Sequence, residues 1–74
     1  MISLDTFNIN MSNGMTLEQI ISINNLSDTN IISILTEYSN SIFEYGEDFA
    51  EFLFYEEEDI NVLRRFGFDN LIGN

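Results

Sequence analysis

Through the middle of the chain, apolar residues recur at steps of three and four. Ile31, Ile32, Leu35, Tyr38 and Ile42 hold this spacing, the period of a helix with one buried face. It predicts an amphipathic helix over about residues 28–45, opened by Ser27 or Asp28 and ended by Gly46. Upstream, Leu17, Ile20, Ile21 and Asn24 share one face. Thr16 stands as a cap with Gln19 three residues on, the spacing of a reciprocal capping box, and Met15 and Ile20 have the spacing of a hydrophobic staple. Asn25, tolerant of positive φ, predicts the stop.

Further on, Glu47 and Asp48 would open a third helix with Phe49, Phe52 and Leu53 on its apolar side, since carboxylates suit the positive end of a helix dipole. The acids at 56–59 either interrupt that helix or open a fourth. In a fourth helix, Ile60, Leu63 and Phe66 fall on one face, Arg64 and Arg65 in the last turn and Gly67 beyond it. Phe68, Leu71 and Ile72 form a tail that packs back. The N-terminal stretch reads differently. Phe7, Ile9 and Met11 alternate with Asn8, Asn10 and Ser12, a period of two, so a short strand or extended arm is expected before the turn at residues 12–14. The expected fold class is all-α: a single domain over residues 1–74 with three or four short helices, a helix-turn-helix-like pair and an N-terminal strand or arm. A chain of 74 residues buries only about 60% of its unfolded surface, so a homodimer would help to complete the core.

Charge changes the picture. Thirteen acids face two bases, Arg64 and Arg65, with no Lys and no His, and 2 − 13 = −11. The 45% apolar content is too high for a disordered acidic tail. No stretch approaches the roughly 20 apolar residues of a membrane span, and the start lacks the basic residues of a signal peptide. A cytoplasmic protein of a bacterial host is expected, with no membrane contact and no direct binding to nucleic acid. Without His, Cys or Lys most general bases and nucleophiles are missing, and paired carboxylates would need a cleft of their own. No enzyme, cofactor or metal is expected, since the acids do not follow a calcium-loop spacing. The ten Asn point to an AT-rich gene that should also have raised Lys, whose codons differ from those of Asn only in the third base. Its complete absence reads as selection against positive surface charge.

Residues 17–38 resemble a helix-turn-helix. Leu17, Ile20 and Ile21 match the first helix, Asn25 stands where the turn usually has Gly, and Leu26 fits the apolar turn position. Ser27 is the cap, and Ile31, Ile34 and Leu35 match the buried face of the second helix. The resemblance implies a helical hairpin. In DNA-binding members the second helix enters the major groove while bases contact phosphates. Here that helix offers Asp28, Thr29, Asn30, Ser33, Thr36 and Glu37 and not one base, so the packing carries over and the DNA binding does not.

Eight of the thirteen acids lie within residues 44–59: Glu44, Glu47, Asp48, Glu51, Glu56, Glu57, Glu58 and Asp59. On a continuous helix Glu47, Asp48, Glu51 and Glu58 would cluster on one side. Carboxylates three and four apart have Cβ atoms about 5–6 Å apart, close to the spacing of phosphates on one DNA strand. Such a stripe could occupy a basic groove, with Tyr45 and Tyr55 as anchors at its edge. In length, acidity and lack of Lys the chain resembles small phage-encoded DNA-mimic inhibitors, the anti-restriction and anti-CRISPR proteins. The resemblance is one of composition. It implies an inhibitor that blocks the nucleic-acid site of a basic DNA-binding protein of the host, of the restriction or CRISPR effector type. The alternative is an immunity protein or antitoxin that neutralises a basic toxin such as a nuclease. A third class is an assembly adaptor whose charge serves solubility.

Overall fold

The computed structural model describes residues 2–45 and 53–73. Four α-helices occur among them: α1 (Leu4–Ser12), α2 (Leu17–Ile23), α3 (Asp28–Tyr45) and α4 (Glu57–Phe66), followed by a 3-10 turn at Asp69–Leu71. The fold is all-α.

The N-terminal segment is a helix and not the expected strand or arm. Ser3 caps it by accepting the Thr6 N–H at 3.2 Å. Leu4, Phe7 and Met11 fall at helical spacing and turn toward the core, whereas Ile9 is exposed. Phe7 and Met11 satisfy both a period of two and a period of four. Leu4 and the Ser3 cap decide between them, because only in a helix do all three apolar side chains share a face.

The next two helices follow the sequence closely. Thr16 Oγ1 accepts the Gln19 N–H at 3.2 Å while Gln19 Oε1 accepts the Thr16 N–H at 2.9 Å. Asn25 takes a left-handed φ of 50° at the turn into α3. Ser27 and Asn30 then cap each other, Ser27 Oγ accepting the Asn30 N–H and Asn30 Oδ1 the Ser27 N–H. An Asn here stands where a capping box normally has Glu or Gln.

Leu17 and Ile20 of α2 and Ile31, Ile34 and Leu35 of α3 enter one buried cluster with Phe7, Tyr38, Phe54, Val62, Leu63 and Leu71. Two helices joined by a short turn stand where the helical hairpin is expected, but α2 packs chiefly on α4 and α1, and α3 packs on α1. Tyr38 is the hub of the aromatic core. Its ring meets Phe7 edge-on with centroids 5.3 Å apart and lies tilted 5.7 Å from Phe54. Burial pushes its phenol well above the usual range.

The tail packs back as its apolar residues predict. Phe54 donates its N–H to the Leu71 carbonyl at 2.9 Å, and the Gly73 N–H returns to the Phe54 carbonyl at 2.7 Å. Phe54 and Ile72 thereby form an isolated parallel bridge. Leu71 is buried, with Phe68 and Ile72 packed against the same core.

Candidate functional site

The bridge between Phe54 and the tail decides how the acidic stretch is displayed. A residue bonded to a neighbouring segment through both its N–H and its carbonyl cannot also serve an α-helical ladder. The chain therefore runs extended through Phe54, and a new helix opens at Glu56, the extended residue that precedes α4 (φ −75°, ψ 139°). The acids at 56–59 open a fourth helix and do not interrupt a third. This corrects the picture of one helical stripe joining Glu47, Asp48 and Glu51 to Glu58. Glu47, Asp48 and Glu51 lie outside the described residues, as do Phe49 and Phe52. Glu44 is exposed on the last turn of α3. Tyr45 ends that helix, and its side chain lies outside the described set.

Glu57, Glu58 and Asp59 occupy the first turn of α4, where the helix dipole favours negative charge. Their surroundings then diverge. Glu56, Glu57 and Glu58 are exposed, whereas Asp59 is only 8% exposed. Asp59 faces inward one turn before Val62 and Leu63. Its Oδ1 accepts the N–H of Leu17 at 2.8 Å. That N–H is one of the donors that the first turn of α2 cannot satisfy internally. Thr16 serves Gln19, and Asp59, 42 residues away in sequence, serves Leu17. Asp59 is thus a buried cap supplied by another helix, unlike the exposed carboxylates beside it. Burial raises its carboxyl above the usual range, the Leu17 bond opposes this, and the charge of Glu56 adds to the rise.

The Asp59–Leu17 bond brings the starts of α2 and α4 together, and with them carboxylates remote in sequence. Glu56, Glu57 and Glu58 line an open hollow of about 490 Å³ with Gly14 and Thr16. Glu58 shares a second hollow, of about 360 Å³, with Glu18 and Asn61. Glu18 was not picked out by the sequence, where it is an isolated acid in the first turn of a short helix. Its membership of this face follows from the docking of α2 on α4 alone.

At the far end of α4, Arg65 reaches Glu18 at 3.9 Å, with both side chains about 60% exposed. A pair so open to water contributes little. Asp5, Asp28, Glu37 and Asp69 are exposed on the other elements. Tyr55 stands beside the acidic face, 56% exposed. Its ring lies so close over Gly73 that any Cβ there would collide with it, so glycine is required at that point by close approach.

The arrangement offers carboxylates and an aromatic ring on the rim of two helix starts. No known protein family, characterised protein or solved structure matches the chain. Among the described residues, no helix is long and apolar enough to cross a membrane.

Proposed function

We propose that this protein is an acidic inhibitor that occupies the nucleic-acid site of a basic DNA-binding protein, acting in the cytoplasm of a bacterial host. One observation carries the reading. Glu56, Glu57 and Glu58 gather in one hollow at the start of α4, and Glu58 shares a second with Glu18 of α2. The chain has no Lys. Of its two Arg residues, both in the last turn of α4, Arg65 reaches this face among the described residues at Glu18 alone, through a long exposed pair of 3.9 Å. Like charges so gathered repel one another, and a partner lined with Lys and Arg relieves that repulsion through charge-assisted bonds. The face has the chemistry of a short row of phosphates, and a groove built for phosphates is its complement. Restriction and CRISPR effectors supply grooves of that kind, as the likeness in composition to phage-encoded mimics implies. Association is then fast and weakened by salt, as steering by opposite charge requires.

The test is a competition assay. A partner captured at low salt is loaded with a fluorescent DNA duplex, and the protein is added. Displacement of the duplex is expected, and the variant carrying Glu18→Gln, Glu56→Gln, Glu57→Gln and Glu58→Gln should need at least tenfold more protein for the same displacement. A partner that holds the duplex and this protein together overturns the reading.

A further inference from the structure

Asp59 has acceptor capacity that the fold does not use. Its Oδ1 is taken by the Leu17 N–H, while Oδ2 has no hydrogen-bond partner among the described residues. Although the residue is more than nine-tenths buried, no buried side-chain atom of the described residues is left unsatisfied. Oδ2 therefore keeps its contact with solvent, and Asp59 lines an open groove of about 270 Å³. Met11, Met15, Leu53 and Tyr55 line it together with Glu56, which is exposed.

We propose that this groove receives the guanidinium of an arginine from the basic protein partner, its methylenes lying along Met11, Met15 and Leu53 and its head meeting Asp59 and Glu56. The proposal rests on the reading above that the partner is a basic protein, and it names the contact that anchors it.

The chemistry selects arginine for three reasons. An acceptor that the fold leaves to a half-apolar groove is open to a cation with several donors, which would bond it more strongly than a neutral donor does. Guanidinium is flat, multiply donating and more weakly hydrated than an ammonium, so it enters a half-apolar groove at lower cost than lysine does. The exposed part of the Tyr55 ring offers a face to a cation, and methionine thioethers adapt to the shape of a stem. The chain's own bases do not fill the place, because Arg64 and Arg65 lie in the last turn of α4 and Arg65 turns to Glu18 and the Phe66 ring. An acidic side chain is repelled by the two carboxylates, and a neutral one gains no charge pairing there.

The experiment is an amide-resolved NMR titration of the whole protein at low salt with N-acetyl-arginine amide, and in parallel with N-acetyl-lysine amide. Saturable shifts are expected at Leu17, Tyr55, Glu56 and Asp59, with the lysine probe at least threefold weaker. Asp59→Asn keeps an acceptor for Leu17 and should weaken the arginine probe at least tenfold. Met11→Trp fills the groove without touching Asp59 and should do the same, which keeps the test sound if the first variant folds poorly. Equal shifts with both probes at acids all over the surface overturn the proposal, as does an arginine affinity unchanged in both variants. Protein that displaces DNA from its partner yet ignores the arginine probe overturns the groove and leaves the mimic reading standing. Protein that binds the probe at Asp59 but never competes with DNA supports the groove and overturns the mimic reading.

Discussion

The two ends of α4 are built from opposite charges and come to different uses. Glu57, Glu58 and Asp59 sit in its first turn and Arg64 and Arg65 in its last, each placed as the helix dipole favours. Locally the ends are mirror images. In the fold they are not. The acidic end is tied to α2 by the Asp59–Leu17 bond and shares its surface with Glu18 and Glu56. At the basic end both arginines are exposed, and the one ion pair made there among the described residues is long. Gly67 closes that end at a φ of 81°, with the Phe68 N–H returning to the Leu63 carbonyl at 2.8 Å. Favourable local electrostatics therefore says where a charge is tolerated. Whether the charge does anything further depends on what the fold brings opposite it.

That contrast can be attacked at graded strength. Leu63 is fully buried between the two ends, and Leu63→Ala should remove about 2–5 kcal/mol. Urea unfolding measures this, and a loss below 1 kcal/mol would show that α4 is not anchored as described.

At the acidic end, Asp59→Ala strands the Leu17 N–H in the interior and should cost about 1–3 kcal/mol, with faster hydrogen exchange at Leu17. Asp59→Asn retains an acceptor and should cost far less. The same pair separates charge from hydrogen bonding by pH. Asp59 holds its proton more tightly in the folded chain than in the unfolded one, so its contribution is complete below the ordinary carboxylate range and is lost as pH rises through its elevated value. Lowering the pH from 7 toward 5 should raise the melting temperature of the wild type more than that of Asp59→Asn. Parallel curves for the two proteins would sink the claim that Asp59 is a strained buried charge.

At the basic end, Gly67→Ala forces a side chain into the left-handed region and should cost about 1 kcal/mol, read as a drop in melting temperature. The smallest effect is expected from Arg65→Gln. Its exposed pair with Glu18 contributes less than about 1 kcal/mol, so thermal unfolding at moderate salt should barely move. A larger loss there than from Asp59→Ala would reverse the comparison.

Much of this fold is legible in short-range signals. The capping box at Thr16 and Gln19, the left-handed Asn25, the span of α3 and the glycine stop at Gly67 follow from side-chain chemistry within four residues, and local physics suffices for them. The segment of α1 misleads because alternation and helical spacing coincide over so few residues, and one leucine and one serine cap break the tie. The acidic stretch misleads for another reason. Whether residues 53–59 continue a helix or begin one depends on the hydrogen bonds between Phe54 and the tail, made by residues about twenty positions away.

Apolar spacing and caps by themselves determined the all-α class and three of the four helices, and composition determined that the chain is strongly anionic and carries no Lys, His or Cys. Only the tertiary structure decided that Asp59 is buried as a cap for α2 while its neighbour Glu58 faces water, and that Glu18 joins the same face. The physical reason is that backbone propensity and charge placement are settled within a turn or two of helix. Burial is settled by which elements pack, and adjacent residues on one helix point about 100° apart, so a single docking of α2 against α4 gives neighbouring carboxylates opposite surroundings.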